Sequence, residues 1–329
     1  MCGIAGLIDW RAATGADALR SIGEAMNETL HHRGPDGSGV WVEAEGGAAL
    51  CQRRLAIIDL SPGGAQPMHS ADRRYVITFN GEIYNYRDIR AELAAVGRTM
   101  RSDSDTEVLL EACALWGVEA AIERAVGMFA FALWDRATRT LYLARDRLGI
   151  KPLYYAATAE RVLFASQLKA LRAVPGWQPT IDEDAVAGYL RHAYISQPRT
   201  IYREASKLPP GHILTLRQGA APAPRCFWDL RGIAIAGQAR NDPAPDEHEA
   251  IERLDALLRD SVKLRMIADV PLGAFLSGGI DSSTVVALMQ AQSTRPVKTF
   301  SIGFHATDYD EAEYAKGVAA HLRTDHTEF

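Results

Sequence analysis

The hydrophobic pattern in the first part of the chain predicts strands and helices in one packed structure. Short apolar runs bounded by Gly, Pro, Asn and Asp are typical of strands. Strands are predicted at 3–9, 38–43, 53–59, 74–79, 127–134, 140–145, 152–156, 161–165 and 212–217. Apolar residues three or four apart, as at Leu19, Ile22 and Met26, predict helices instead. Helices are predicted at 16–30, 86–96, 105–116 and 182–192. This order favours packed sheets covered by helices.

The pattern changes after residue 217. Residues 218–246 contain the strings QGAAPAP and NDPAPD, whose composition is typical of a linker. A long amphipathic helix is predicted over Glu247–Met266. Strands and helices then alternate as strand 272–276, helix 282–291, strand 297–302 and helix 310–322. This alternation predicts a parallel sheet. We therefore expect a first domain at 2–217, a linker at 218–246 and the start of a second domain at 247–329.

Composition limits the classes of function. The chain has 329 residues, a net charge of −5 and an apolar fraction of 47%, which predicts about two globular domains. The negative charge gives no basic footprint for nucleic acid. We find no apolar run long enough for a membrane span and no signal-peptide pattern. Four cysteines, at positions 2, 51, 113 and 226, form no CxxC pair. We expect a reducing, cytoplasmic location.

Cys2 is a candidate nucleophile. Removal of Met1 would leave a thiol and a free α-amine on one residue, and that amine can serve as a base for its own thiol. The glycines of the string MCGIAG let the backbone approach a substrate closely. A Cys at position 2 taken alone is also compatible with a small terminal residue of no catalytic role.

A thiolate that attacks a carboxamide needs partners for the oxyanion and for both ends of the substrate. Asn80 and Gly81, at the end of a predicted strand, can offer a side-chain amide and a backbone N–H to an oxyanion, although Asn-Gly is also a common hairpin turn. Arg54 can bind a carboxylate through its forked guanidinium. Asp105, assisted by Glu82, can bind an ammonium group, and Asp105 can equally stabilise the start of a helix.

Five segments carry a specific resemblance. They are MCGIAG at 1–6, HRGPD at 32–36, RLAIID at 54–59, FNGEIYN at 79–85 and DRLGIKPLYY at 146–155. In order and spacing they resemble the class II glutamine amidotransferase domain of glutamine-hydrolysing asparagine synthetases. The resemblance implies an α+β N-terminal-nucleophile fold, in which two antiparallel sheets lie between layers of helices. It also implies an α/β parallel-sheet ATP-pyrophosphatase domain after it.

The resemblance also implies roles for individual residues. The implied catalytic residues are Cys2, Asn80 and Gly81. The implied glutamine pocket consists of Arg54, Leu55, Ile57, Glu82 and Asp105. We interpret 32–36 and 146–155 as mainly structural, and Lys151 as a surface or packing residue, although a catalytic amine is the alternative.

The string LSGGIDSS at 276–283 predicts a second site. Backbone N–H groups at a glycine turn and a helix N-terminus can bind an anion, whereas a Walker A loop is absent. The string resembles the pyrophosphate-binding loop of ATP pyrophosphatases. The implied ATP-binding residues are Leu276, Ser277, Gly278, Gly279, Asp281, Ser282, Ser283 and Ile302. Asp281 is the candidate ligand for Mg²⁺, with stabilisation of the helix start as its alternative role, and Leu276 and Ile302 are alternatively ordinary core residues.

The implied reaction is that of an ATP-dependent ligase. Glutamine hydrolysis supplies ammonia, which amidates aspartate through an aspartyl-adenylate and gives asparagine, glutamate, AMP and pyrophosphate. The implied ligands are L-glutamine, L-aspartate, ATP and Mg²⁺, with no tightly bound organic cofactor, no nucleic acid and no membrane, and with a homodimer as one option for assembly. Alternatives are another carboxylate acceptor or a chain that retains only glutaminase activity. Because the family continues well beyond such a loop, we expect the chain to be a truncated or partial sequence.

Overall fold

The computed structural model describes residues 1–240, 246–303 and 311–329. The chain forms two compact units, Met1–Ala239 and Arg240–Phe329, each described below by itself. Parts of the predicted linker (241–245) and the first residue of the last predicted helix (Asp310) lie outside the described residues.

Two six-stranded sheets form the centre of the first unit. The strands are β1 (Gly3–Asp9), β2 (Gly37–Glu43), β3 (Ala48–Arg54), β4 (Met68–His69), β5 (Tyr75–Ile83), β6 (Gly127–Asp135), β7 (Thr140–Arg145), β8 (Tyr154–Ala157), β9 (Arg161–Ala165), β10 (Ser206–Lys207), β11 (His212–Leu216) and β12 (Pro224–Cys226). One sheet has the order β10-β8-β9-β1-β3-β2 and the other β12-β11-β7-β6-β5-β4. The recorded pairings within both sheets are antiparallel.

Seven labelled helices belong to the described part of this unit. They are α1 (Ala16–Glu28), α2 (Tyr86–Ala95), α3 (Asp105–Trp116), α4 (Val118–Arg124), α5 (Leu168–Arg172), α6 (Glu183–His192) and α7 (Leu230–Ala239). Helices α1 and α5 pack on the first sheet, and α3 packs on β5 of the second. The arrangement is therefore two sheets between layers of helices.

The sequence of strand β1 is apolar without alternation because both faces of the strand are buried. Ile4 and Ile8 point into the core between the two sheets, where they join Trp134 of β6. Ala5 and Leu7 point the other way, against α1 and α5. A strand covered on both faces is expected to be apolar throughout. Cys2 thus precedes one of the most deeply buried strands of the unit.

The predicted strand at 53–59 is wrong. Strand β3 comprises Ala48–Arg54, and the chain then leaves the sheet. A side-chain carboxylate oxygen of Asp36 accepts a hydrogen bond from the Ala56 backbone N–H at 3.0 Å. The apolar run Leu55–Ile58 resembles a strand in sequence, but its residues are half-buried and Leu55, Ile57 and Ile58 line a cavity.

Strand β5 is longer than the predicted 74–79. It continues through Asn80 and Gly81 to Ile83, and Gly81 is paired with Phe129 of β6. The hairpin-turn alternative for Asn80-Gly81 is therefore wrong. A Cβ on Gly81 would lie 2.3 Å from the Met128 carbonyl oxygen, so only glycine permits this approach of the two strands.

The stretch predicted as linker contains regular structure. Strand β12 pairs with β11, and helix α7 follows it within the first unit. None of the α7 side chains is buried. The short elements α4, α5, β4 and β10 were also missed, because two to seven residues give too little periodicity to read.

The second unit is a three-stranded parallel sheet with helices. Its elements are α8 (Glu247–Arg265), β13 (Gly273–Phe275), α9 (Ile280–Ala291), β14 (Lys298–Ser301), α10 (Ala312–Leu322) and β15 (Asp325–Glu328). The order is β13-β14-β15, with both pairings parallel as predicted. The sequence predicted only two strands here, because β15 has the polar sequence DHTE.

Candidate functional site

A cavity of about 160 Å³ lies in the first unit. It is lined by residues from the N-terminus, from β3 and the loop after it, from β5, from the start of α3 and from the loop before β8. All eight residues predicted for the glutaminase site line it, namely Cys2, Arg54, Leu55, Ile57, Asn80, Gly81, Glu82 and Asp105. Segments more than 100 residues apart in the chain therefore meet in one place.

Cys2 is fixed at the cavity by backbone contacts. Its Sγ lies 3.3 Å from the Leu55 backbone nitrogen, which donates to it, and 3.5 Å from the Leu55 carbonyl oxygen. The Arg33 Nε donates to the Cys2 carbonyl oxygen at 2.9 Å. Burial raises the pKa of the Cys2 thiol, while the Leu55 hydrogen bond, the terminal amine and Lys151 oppose that rise. The thiol thus needs nearby positive charge to ionise.

The terminal amine belongs to Met1 in this chain, and it is also partly buried. Burial lowers the pKa of this amine, and the positive charges of Arg33 and Lys151 lower it further. This is the amine of Met1, whereas the candidate base is the amine that Cys2 would carry after removal of Met1.

Asn80 has an uncommitted donor at the cavity. The residue is 1% exposed, and its side-chain nitrogen has no hydrogen-bond partner among the described residues. A buried amide without a partner is costly, so a ligand that accepts its hydrogen bond would remove that cost. Gly81 follows it and lines the same cavity.

Arg54 lines the cavity and also holds the loop that follows β3. Its guanidinium donates to the carbonyl oxygens of Ser61 at 3.1 Å and of Asp59. Guanidinium has five N–H donors, so these contacts leave donors for an anionic ligand. Arg54 therefore both shapes the loop and contributes positive charge to the site.

Asp105 and Glu82 place two carboxyl groups at the cavity. Asp105 is 5% exposed and accepts a hydrogen bond from the Ile83 backbone N–H at 2.9 Å. Burial, together with the negative charge of Glu82, raises the pKa of Asp105 to about 7. Burial also raises the pKa of Glu82, and Lys151 opposes that rise. Two carboxyl groups facing one cavity form a suitable place for an ammonium group.

Lys151 is not a surface residue. It is 4% exposed and lines the cavity together with Cys2 and Glu82. Burial lowers the pKa of Lys151, while Glu82 and Cys2 oppose that change. The surface position is therefore wrong: the backbone of Lys151 is held by hydrogen bonds with the side chains of Asp146 and Arg145, and the residue is buried.

The two motifs interpreted as structural do support the site. Arg33, in the HRGPD string, binds the Cys2 carbonyl, as described above. Asp146 is fully buried and accepts hydrogen bonds from the backbone N–H groups of Phe129, Leu148, Ile150 and Lys151. These bonds fix the loop that carries Lys151 beside β6.

Two glutamines brace the site and were missed. The Gln66 Oε1 accepts from the Phe79 backbone N–H at 2.7 Å, and the Gln52 Nε2 donates to the Phe79 carbonyl at 3.2 Å. Both side chains thus hold the residue before Asn80. Nothing in their sequence surroundings distinguishes them from surface glutamines.

The predicted ATP loop lies at the start of α9 in the second unit. The Ser282 Oγ accepts from the Ser277 backbone N–H at 3.2 Å, and the two serine hydroxyls are 3.0 Å apart. Gly278 has a φ of +81°, and a Cβ there would lie 2.7 Å from the Ala315 nitrogen, so glycine is required. The helix begins at Ile280, two residues before the predicted start.

A cavity of about 240 Å³ lies at the carboxyl ends of β13 and β14. Leu276, Ser277 and Ile302 line it, whereas Gly278, Gly279, Asp281, Ser282 and Ser283 do not. Leu276 is buried and Ile302 is exposed. Ligands of open parallel sheets bind at this edge, so the three lining residues lie where a nucleotide base would be expected.

Asp281 is the only acidic residue in the first turn of α9. The described residues contain no cluster of three or more His, Cys, Asp or Glu side chains that could hold a metal ion. Mg²⁺ is commonly bound by one or two carboxylates together with phosphate oxygens and waters. The single carboxylate therefore fits a metal that arrives with a phosphate ligand, and it does not fit a metal held by the protein alone.

Within the described ranges, no helix is both long and apolar enough to cross a lipid bilayer.

Comparison with known proteins gives two family matches and a set of named relatives. Residues 1–228 match the glutamine amidotransferase domain, and residues 253–329 match asparagine synthase. Asparagine synthetase [glutamine-hydrolyzing] 1 of Bacillus subtilis is 37% identical over 323 residues, which are 98% of this chain and 49% of that protein. A putative asparagine synthetase [glutamine-hydrolyzing] of Mycobacterium tuberculosis is 37% identical over 342 residues, covering 99% of this chain and 51% of that protein. The chain thus spans about half the length of these relatives.

A solved structure supports the fold. Glutamine phosphoribosylpyrophosphate amidotransferase from B. subtilis, complexed with ADP and GMP, has a TM-score of 0.51 and 16% identity, covering 99% of this chain and 65% of that one. Such a likeness bears on the fold alone. It confirms the predicted N-terminal-nucleophile architecture, and the parallel sheet at 273–328 confirms the predicted change of class. Because the first family match extends over more than half of the residues, the chain belongs to the glutamine amidotransferase domain family.

Proposed function

We propose that the first unit hydrolyses glutamine at Cys2 and that the ammonia serves an ATP-dependent amidation of aspartate, as in a glutamine-hydrolysing asparagine synthetase. The observation that carries the glutaminase part is the meeting of eight residues, predicted from four separate stretches of sequence, at one cavity. The asparagine synthase match at 253–329 and the names of the relatives support the second part.

The proposed chemistry begins when removal of Met1 gives Cys2 the terminal amine. That amine takes the thiol proton, and the thiolate attacks the side-chain carboxamide carbon of glutamine. The resulting oxyanion accepts hydrogen bonds from the Asn80 side chain and the Gly81 backbone. The carbon–nitrogen bond then breaks, and ammonia leaves with the proton returned by the amine. Water hydrolyses the remaining thioester, so one glutamine and one water give one glutamate and one ammonia.

The remaining pocket residues select glutamine by its charged end. Arg54 binds the α-carboxylate through charge-assisted hydrogen bonds. Asp105 and Glu82 bind the α-ammonium, whose positive charge favours the ionised form of both carboxyl groups. Leu55 and Ile57 give the apolar wall for the methylene groups. A cavity of about 160 Å³ suits a ligand the size of one amino acid.

For the second unit we propose ATP as substrate. Ser277–Ser283 would hold the pyrophosphate with backbone N–H groups and hydroxyls, and Leu276 and Ile302 would border the base. Mg²⁺ would be held by Asp281 together with the phosphate oxygens, and it would neutralise phosphate charge.

Glutaminase activity is the direct test of the first part. The purified chain should begin at Cys2 by intact mass and release glutamate from glutamine, while Cys2→Ala should abolish this activity. Cys226→Ser is a matched control, because that cysteine is exposed and lies outside the cavity. Glutamate release that persists in Cys2→Ala would contradict the proposed nucleophile.

The acceptor is tested in a protein of the relatives' full length that contains this chain. Aspartate should stimulate pyrophosphate release from ATP, and asparagine should be the product. Stimulation by a different carboxylate, and none by aspartate, would leave the glutaminase proposal intact and overturn the acceptor.

A further inference from the structure

Lys151 is a buried cation to which the proposed mechanism assigns no task. It is 4% exposed and lines the same cavity as Cys2 and Glu82. A buried charge is costly unless opposite charges compensate it, and buried ionisable groups are concentrated at functional sites. A packing role would be served better by an uncharged side chain of the same length.

The backbone of Lys151 is held on both sides. Its N–H donates to Asp146 Oδ2 at 3.0 Å, and its carbonyl oxygen accepts from Arg145 Nε at 2.8 Å. Arg145 also donates to the carbonyls of Gly149 and Leu208. The root of the side chain is therefore fixed beside the cavity that Lys151 lines.

The cavity concentrates negative charge. Cys2 as a thiolate, Glu82 and Asp105 all line it. Two other cations lie near Cys2, and each is partly tied to backbone carbonyls: Arg33 donates from Nε to the Cys2 carbonyl, and Arg54 donates to carbonyls of the loop after β3. The terminal amine becomes positively charged when it takes the thiol proton, and it then also lies beside the thiolate. Lys151 thus adds a further positive charge to a cavity lined by Cys2, Glu82 and Asp105.

We propose that Lys151 is a positioning residue of the glutaminase site, whose ammonium compensates the charge of the Cys2 thiolate and of Glu82 and so keeps the nucleophile ionised near neutral pH. This inference rests on the proposed glutaminase function. A nearby ammonium stabilises a thiolate in a buried environment that otherwise favours the thiol. Burial raises the pKa values of Cys2 and Glu82 and lowers that of Lys151, and the charges of these groups act on one another in the opposite direction: Lys151 lowers the pKa values of Cys2 and Glu82, and both raise the pKa of Lys151.

The test measures ionisation of Cys2 without any glutamine. In a full chain that carries Cys226→Ser, the rate of alkylation of Cys2 by iodoacetamide is followed between about pH 6 and about pH 10, and mass spectrometry locates the adduct. Cys51 and Cys113 are fully buried and stay protected in the folded chain. Lys151→Met removes the charge, and Lys151→Arg retains it.

Lys207→Met is the matched control. Lys207 is also partly buried, and burial lowers its pKa, but it donates to the Ile195 carbonyl and lines a separate cavity. We expect Lys151→Met to slow alkylation about threefold to tenfold near pH 7 and to approach the parent rate near pH 10, because burial lowers the pKa of Lys151 and much of its charge is lost there. Lys151→Arg should restore most of the rate, and Lys207→Met should leave it unchanged.

Two results would overturn the inference. One is an alkylation profile of Lys151→Met that coincides with the parent profile, even if glutamine turnover falls. The other is an equal loss of rate in Lys207→Met. If Lys151→Met fails to fold by tryptophan fluorescence, Lys151→Gln is measured instead. Because no turnover is involved, absence of glutaminase activity in the parent would contradict the proposed function and leave this test readable.

Discussion

Replacing Asp105 by Asn should stabilise the first unit near pH 8 while it weakens glutamine binding. Asp105 is buried, and its pKa is raised from 3.8 to about 7 by burial and by Glu82. A carboxyl that binds its proton more tightly in the folded chain stabilises that chain below pH 3.8. The contribution is lost as the pH rises through about 7. The neutral isostere avoids this loss and still offers an oxygen to the Ile83 N–H.

The magnitude follows from the two pKa values. At about 1.4 kcal/mol for each pKa unit, the change from 3.8 to about 7 corresponds to about 4 kcal/mol of unfolding free energy at full ionisation. Relaxation of the pocket lowers this figure, so we expect a gain of about 2–4 kcal/mol near pH 8 and a clearly smaller one near pH 5.

Denaturant unfolding followed by tryptophan fluorescence is the appropriate assay. All six tryptophans lie between Trp10 and Trp228, so their signal reports on the first unit. Asp135→Asn is the control of opposite sign. Burial alone would raise the pKa of Asp135, but hydrogen bonds from Arg74 and Thr138 bring it below its ordinary value. Its stabilising contribution is present at neutral pH and is lost as the pH falls, so Asp135→Asn should destabilise near pH 8.

Glutamine binding completes the test. The ammonium of glutamine needs an ionised Asp105, so the KM of the parent chain should rise as the pH falls below about 7. In Asp105→Asn the KM should be higher at every pH and should lose most of this dependence. Equal stability of the variant and the parent near pH 8 would refute the raised pKa of Asp105. An unchanged KM would refute its role in binding the ammonium of glutamine.

Other substitutions test the remaining contacts. Asn80→Ala should lower kcat about 10²–10³-fold with little change in KM, and steady-state kinetics with the opposite pattern would contradict the oxyanion role. Arg54→Ala should raise the KM for glutamine, by an amount equivalent to about 1.5–3 kcal/mol, and Arg54→Lys should not restore it because the forked geometry is lost. Retention of Met1 before Cys2 should abolish turnover, as judged by intact mass and glutamate release. Gly278→Ala should weaken hydrogen-exchange protection of α9 and α10, since its φ of +81° and the contact with Ala315 exclude a side chain, and unchanged protection would count against that packing.

Several features could be read from the sequence because their signals are local. Strand β1 and helix α3 followed from short apolar patterns, and α3 was predicted over the same range, Asp105–Trp116, that it has in the structure. The alternation after residue 246 indicated a parallel sheet, and the structure has one. The motifs around Cys2, Asn80 and Asp105 predicted residues that meet at one cavity. This was possible because each motif contains its functional residue types within a short stretch of sequence.

Only the tertiary structure shows which charged and polar side chains are buried around the site. Lys151 was predicted to be a surface or packing residue, yet it is 4% exposed at the cavity and its backbone N–H donates to Asp146. Leu55–Ile58 had the pattern of a strand, yet they leave the sheet and line the cavity. Gln52 and Gln66 gave no local signal at all. In each case the position of the residue depends on contacts with distant parts of the chain or on the conformation of a loop. Packing between distant segments leaves no periodic pattern in the sequence of either segment.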